Sequence, residues 1–237
     1  MVTVVIPTYN EEKALPLTLR ELLRQCGDYE VIVVDGGSTD RTLGVLAEFS
    51  FSEPPSPHVS HPSRVLLTAS KGRASQMNEG AKRATGDWLL FLHADTILPP
   101  RAIQRLNEME ADQAIQAGGF MHRFSGDDWR LTLISCLDNF RCIRSRIIYG
   151  DQALFVRYAL FERLGGFPSQ RILEDVAFCE KLITVTTPLL LSPSVVTDAR
   201  KFLKMGVWRS FVRVLLIILH VEFGLPVLPR AFFQDIR

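Results

Sequence analysis

The sequence predicts an α/β protein with a mostly parallel central sheet flanked by helices, and three observations predict it. Short apolar runs at Val2 to Ile6, Glu30 to Val34 and Trp88 to Leu92 hardly alternate with polar residues, as expected of strands buried on both faces. Between them, apolar residues recur at helical spacing. Each run stops at a polar loop, where open parallel sheets place their ligand crevice. With 237 residues, 47% of them apolar, the chain can bury a sizeable core as one large domain or two small ones.

The elements follow in order. Val2 to Ile6 is a strand stopped by Pro7, and Leu15, Leu19, Leu22 and Leu23 then mark an amphipathic helix that Asn10 can cap. After Gly27-Asp28 comes the strand Glu30 to Val34, the turn Asp35-Gly36-Gly37-Ser38-Thr39-Asp40 and a helix bearing Leu43, Leu46 and Phe49. Ser50 to Ser63, rich in Ser, Pro and His, reads as a surface loop in which His58 and His61 are solvated. Val65 to Leu67 is a third strand, Lys71-Gly72-Arg73 an exposed basic turn, and Ala74 to Ala84 a helix. Trp88 to Leu92 is the central buried strand, ending at His93-Ala94-Asp95. Pro99-Pro100 opens a helix with Ile103 and Leu106 on its apolar face. A strand at Ala114 to Phe120, a helix at Trp129 to Ile143, a turn and strand at Gly150 to Val156 and a helix at Tyr158 to Leu164 complete the α/β rhythm.

From Arg200 the character changes. Arg200, Lys201, Lys204, Arg209 and Arg213 precede or interrupt the apolar stretch Val207 to Leu228. Its longest unbroken apolar run, Val214 to Leu219, is far short of the roughly 20 residues that cross a bilayer. The expected division is therefore a domain over 1–199 and an amphipathic helical segment over 200–237. That segment packs on the domain, on a second subunit or on a membrane surface.

Composition excludes some classes. A net charge of +1 offers no basic surplus for a nucleic-acid partner. Four scattered cysteines without a Cys-x-x-Cys argue against a zinc knuckle or a disulfide framework and fit a cytoplasmic setting. Met1 to Asn10 enters a strand with no charged leader of signal-peptide type. Pro7-Thr8-Tyr9-Asn10 after the first strand is not the glycine-rich turn of a nicotinamide-dependent dehydrogenase.

The polar loops carry the candidate chemistry, each with a plainer reading beside it. Asp95, at the carboxyl end of a buried strand, suits a hard divalent cation that bridges phosphates, or simply caps the next helix. Asp35 before a glycine turn can hold a ribose or base edge. Arg73 can pair with a diphosphate or remain a solvated charge. Glu174 and Asp175, adjacent at a helix start, are either acids stabilised by the helix dipole or, if one faces a cleft, a general base.

Several ordered motifs over about residues 2 to 185 resemble the family 2 glycosyltransferases, which have the GT-A fold. They are Val5-Ile6-Pro7-Thr8-Tyr9-Asn10-Glu11-Glu12, Ile32 to Asp40, Gly86 to Asp95, Gly165-Gly166-Phe167 and Glu174-Asp175. Gly72 to Asn78 and Phe91 to Thr96 look closest to a small bacterial subgroup labelled as associated with radical-SAM and selenium-related proteins. The resemblance implies that Pro7, Thr8, Tyr9, Glu11 and Asp35 line a nucleotide pocket, with Arg73 near the diphosphate and His93 beside it. It implies that Asp95 holds Mg or Mn, that Asp175 of the Glu174-Asp175 pair is the base, and that Asp151 and Gln152 lie near the acceptor. Arg200 reaches the leaving phosphate if the C-terminal segment folds back over the cleft. The implied activity is inverting transfer from a UDP- or GDP-sugar to an acceptor hydroxyl. Its rivals are transfer to a polyprenyl phosphate at a membrane surface and a nucleotide-sugar-binding module without turnover. Two departures stand out: Gly36 occupies the place of a second acid after Asp35, and His93 stands where an acid is usual.

Overall fold

A computed structural model describes residues 1–50, 64–170 and 172–222. Among them, eight strands form one sheet: β1 Val2–Thr8, β2 Tyr29–Asp35, β3 Arg64–Thr68, β4 Trp88–Phe91, β5 Thr96–Ile97, β6 Ala117–Phe124, β7 Phe155–Arg157 and β8 Leu189–Thr197. Their spatial order is β3-β2-β1-β4-β7-β6-β8-β5. The helices are α1 Leu15–Leu22, α2 Thr42–Ser50, α3 Arg73–Lys82, α4 Ala102–Glu108, α5 Trp129–Ser145, α6 Tyr158–Arg163, α7 Glu174–Leu182, α8 Arg200–Met205 and α9 Val207–Glu222.

β1 lies between β2 and β4, parallel to both, with Val4 opposite Val31 on one side and Leu90 on the other. Because side chains alternate along a strand, Val4 and Ile6 enter one core with Leu15, Leu19, Ile103 and Leu106. Val5 enters a second core with Met77, Phe91, Phe161 and Phe178. That is why the sequence of β1 is apolar without a polar alternation: both its faces are covered. Each fully buried Leu, Ile or Phe contributes about 1.5–3 kcal/mol. Phe91, Phe161, Phe167 and Phe178 form a ring cluster, with Phe91 and Phe167 4.8 Å apart edge to face. It underlies the end of β4 and holds the following loop on a rigid floor.

Beyond β4 the sheet turns mixed. β7 runs antiparallel to β4, and β8 lies parallel to β6. Three expectations are corrected, and one strand is new. The strand expected at Ala114 to Phe120 is displaced to Ala117–Phe124, because Asp112 and Gln113 are used in turns. β8 occupies a stretch for which the sequence reading named no element. Asn10 does not cap α1, which starts after Ala14 with Pro16 in its first turn. Asn10 instead takes a left-handed conformation (φ 55°) and its side chain accepts from Thr39 N at 2.8 Å, tying the first loop to the second. The helical segment expected from residue 200 is two helices: α8 ends at Met205, and after Gly206 α9 packs through Val207 against Phe124, Leu131 and Ile134. The loop with His58 and His61, and the end of the apolar stretch with Pro226, lie outside the described residues.

Candidate active site

The ends of β1 and β2 are fixed from below by Gln76 of α3. Its buried amide donates to Thr8 O at 2.7 Å and Val34 O at 2.8 Å. A Cβ on Gly36 would come within 3.0 Å of that amide, which accounts for glycine where an acid was expected. Asp35 is buried and turned on its own loop, accepting from Gly37 N at 2.8 Å, Ser38 N at 2.9 Å and Ser38 Oγ at 2.5 Å. Tyr9 lies beneath the Lys71 ammonium, 3.9 Å from ring centre to Nζ.

Asp95 follows β4, and the pairing of Thr96 with Thr197 brings the start of α8 against it. Lys201 Nζ donates to Asp95 Oδ2 at 2.9 Å and to Glu11 Oε1 at 2.7 Å. Arg200 also binds Glu11, through Oε2. Burial alone would raise the Asp95 carboxyl; Lys201, with His93 and Arg200, outweighs it and holds the group below the usual carboxylate range. His93 is pushed down to about 4 by burial and then by Arg73, so its imidazole is neutral at physiological pH. Lys201 is a site residue that the sequence reading passed over.

The second acid pair arrives from α7. Glu174, fully buried, bonds Arg73 Nε at 2.7 Å, so Arg73 is a held cation and not an exposed turn. Burial works against its charge, but Glu174 and Asp175 more than compensate. Asp175, only 6% exposed, accepts from Gly150 N at 2.6 Å through Oδ2 and from Val176 N at 2.9 Å through Oδ1. A Cβ on Gly150 would lie 2.5 Å from His93 and 3.2 Å from Asp175 Oδ2. Glycine there therefore leaves room for the His93 ring, on whose charge both Asp95 and Asp175 act.

Asp151 and Gln152 stand in the 3-10 turn that starts at Gly150. Asp151 Oδ2 is 3.7 Å from Nε2 of the buried His122, and burial raises its carboxyl above the usual range. Gln152 is fully buried and accepts from Tyr149 N at 3.0 Å, an interior anchor of the turn.

A cleft of about 1420 Å³ collects Pro7, Thr8, Tyr9, Glu11, Arg73, His93, Asp95 and Arg200 along its walls. Lys13, Lys71, Lys201 and Lys204 add further cations. Asp35, Asp151, Gln152, Glu174 and Asp175 lie behind that wall. Glu174 reaches it through its ion pair with Arg73, and Asp175 stands near His93.

The family described as "Glycosyl transferase family 2" matches residues 3–167. The chain belongs to glycosyl transferase family 2. A PGL/p-HBAD biosynthesis glycosyltransferase of Mycobacterium bovis is 30% identical over 184 residues, 77% of this chain and 58% of the relative. A Mycobacterium tuberculosis protein of the same description matches equally. The chain thus spans little more than half the length of the curated relatives it matches. Among solved structures, the mannosyltransferase PcManGT from Pyrobaculum calidifontis, in complex with GDP-Man and Mn2+, superposes with a TM-score of 0.62 at 25% identity. That match covers 83% of this chain and 56% of the other. S. aureus TarS 1-349 in complex with UDP-GlcNAc gives a TM-score of 0.60 at 20% identity, over 83% and 58% of the two chains, a likeness of fold alone. The α/β architecture of this family 2 chain is the GT-A fold.

Proposed function

We propose that this family 2 protein is an inverting glycosyltransferase that moves a sugar from a nucleotide-diphosphate sugar to an acceptor hydroxyl. The observation that carries the reading is the cation-rich cleft wall that His93 and Asp95 share, with Asp175 behind it and close enough to His93 to act on its charge. The acceptor oxygen attacks the anomeric carbon as the bond from that carbon to the diphosphate oxygen breaks. Asp175 takes the acceptor proton, its carboxylate fixed by two backbone N–H groups. Arg73, held by Glu174, and Arg200 face the charge that develops on the leaving nucleoside diphosphate. Pro7, Thr8, Tyr9 and Glu11 line the nucleotide end, with Asp35 shaping its loop. Asp151 and Gln152 are assigned to the acceptor side.

The residues fit a divalent cation. Asp95 and Glu11 already share one positive charge, the Lys201 ammonium, and neutral His93 adjoins them. Among the described residues no group of three or more such side chains forms a closed metal cage. A Mg or Mn ion bound through one or two carboxylates and substrate phosphates needs none. When bound, the ion neutralises phosphate charge. PcManGT, complexed with GDP-Man and Mn2+, supports this reading. UDP-sugars stand beside GDP-sugars as candidate donors.

A panel of UDP- and GDP-sugars with Mg or Mn, scored by thermal stabilisation and by release of nucleoside diphosphate, tests the proposal. Stabilisation without release across acceptors would leave a nucleotide-sugar-binding module.

A second reading, transfer to a polyprenyl phosphate or another lipid-linked acceptor, is favoured by the exposed apolar residues of α8 and α9. A phosphate nucleophile is already ionised, so turnover that survives Asp175→Asn would select it. We place the protein in the cytoplasm, peripheral to the inner face of the membrane, with 1–199 as the catalytic domain and 200–237 as a segment that packs on it, on a second copy as a homodimer, or on lipid. No helix among the described residues is long and apolar enough to cross a membrane. The phrases Gly72 to Asn78 and Phe91 to Thr96 support membership of the radical-SAM and selenium-associated bacterial subgroup.

A further inference from the structure

Helices α5 and α9 break the rule that a surface helix turns its polar side to water. α5 buries Leu131, Ile134 and Cys142, yet its opposite face carries Trp129, Leu133, Leu137, Phe140 and Ile143, all exposed. These positions recur every three or four residues, so they form one stripe. α9 repeats the pattern: Val207 faces the core, while Trp208, Val212 and Leu215 face out. Trp129 and Trp208 meet with ring centres 6.3 Å apart, joining the two stripes into one surface. Trp129 is 67% exposed, Phe140 64% and Trp208 47%. Single exposed apolar residues are ordinary, but a continuous band with three aromatics marks a binding face.

Charge identifies what binds. Of the eight Lys and Arg residues on α5, α8 and α9, Arg200, Lys201 and Lys204 line the cleft and Arg130 and Arg141 are paired with Asp128 and Asp138, which leaves Arg144, Arg209 and Arg213 to this surface. Arg144 and Arg209 are exposed beside the apolar band. A symmetric contact with a second copy would set this positive surface against itself, and like charges brought together cost several kcal/mol. An anionic lipid surface offers the opposite sign to the cations, a depth of headgroups and acyl chain for the apolar band, and the interface in which tryptophan accumulates.

We propose that the face formed by α5 and α9 docks the protein on an anionic lipid surface. The inference extends the proposed function by naming the surface and the lipid charge, and it does not depend on turnover. It also orients the cleft. α8, which lines the cleft through Arg200, Lys201 and Lys204, is about 9 Å long and leads after Gly206 directly into α9. The donor site thus stands next to the headgroups.

The full chain provides its own probe. Of the three tryptophans, Trp88 is fully buried while Trp129 and Trp208 are exposed. Adding phosphatidylcholine vesicles that contain phosphatidylglycerol should shift tryptophan emission to the blue and float the protein, whereas phosphatidylcholine alone should do so far less. The triple variant Trp129→Ser, Phe140→Ser, Trp208→Ser should lose at least about tenfold in partitioning. Its thermal stabilisation by UDP or GDP should match that of the parent, which separates loss of docking from loss of fold. Equal flotation of parent and triple variant would overturn the proposal. So would absence of flotation together with a dimer, measured by light scattering, that the triple variant dissolves; the face would then belong to a second copy.

Discussion

Replacing Lys201 by methionine tests whether Asp95 and Glu11 form a cation seat. The Lys201 ammonium lies 2.7 Å from Glu11 Oε1 and 2.9 Å from Asp95 Oδ2. An ion settling on Asp95 would stand about 4 Å from that ammonium, where two unit charges repel by about 4 kcal/mol at an effective dielectric constant near 20. A double charge doubles the repulsion, so Lys201 must swing away before the ion binds. Its departure sets the ceiling on the effect. Two ion pairs are lost from a side chain that is 47% exposed, and each is worth about 1 kcal/mol after allowance for screening by solvent. Lys201→Met removes that barrier of about 2 kcal/mol and should tighten Mn2+ binding about 30-fold. Lys201→Arg, which keeps the charge, should stay near the parent, and Asp95→Ala should abolish the binding. The assay is titration of free Mn2+ by electron paramagnetic resonance, without nucleotide, so that the loss of a phosphate contact cannot mask the gain. Unchanged or weaker Mn2+ binding by Lys201→Met would refute the reasoning.

Other expectations probe the base, the thiols and the packing. Asp175→Asn should lower turnover by about 100- to 10,000-fold while leaving nucleotide affinity nearly intact; parallel loss of both in titrations would mean that the carboxylate only holds Gly150. Under native conditions a thiol reagent should label Cys26 and Cys136, which are exposed, and spare Cys142 and Cys179, which are buried. Burial raises the Cys142 thiol from 9.0 to about 11, so the folded chain keeps a proton that the unfolded chain releases in that interval. Stability is therefore complete below pH 9 and falls as pH rises toward 11, by at most about 3 kcal/mol from this group. Urea midpoints across that range check it, and a flat profile would contradict the burial. A Cβ on Gly118 would meet the Phe155 ring at 2.3 Å and Leu189 O at 2.4 Å, so Gly118→Ala should destabilise by about 3 kcal/mol. Gly44→Ala, in α2 with no atom nearby, should instead stabilise by about 0.5–1 kcal/mol in the same melts.

Much of the parallel half of the sheet was legible because its signals are local. The apolar runs that become β1, β2 and β4 are buried on both faces, and the loops that follow them hold Glu11, Asp35 and Asp95. The mixed half was harder to read. The turn and strand read at Gly150 to Val156 overlap β7, but β5 has two residues, too few for any periodicity, and β8 contains a proline. Their existence is decided by pairing partners far away in sequence. The same holds for Arg73, which reads as a solvated turn until α7 brings Glu174 to it from 101 positions away.

Lys201 marks where local reading stops, and the reason lies in strand pairing. It sits 106 positions from Asp95 and 190 from Glu11. The run Arg200-Lys201 followed by Lys204 signals only a basic segment. Two non-local facts turn that segment inward. Thr197 pairs with Thr96, and Asp198 N donates to Asp95 O at 2.9 Å, which starts α8 beside the acid. Phe202 then packs on Phe124, with ring centres 4.6 Å apart, and so fixes the rotation of α8 about its axis. With Phe202 turned to the core, Lys201, about 100° back around the helix, is left facing Asp95. The geometry makes a separable claim: Phe202→Ala should loosen the Lys201 contact and tighten Mn2+ binding without touching any charge. If it leaves Mn2+ affinity unchanged while Lys201→Met raises it, the seat is real but the rotation of α8 is not what holds Lys201 in it.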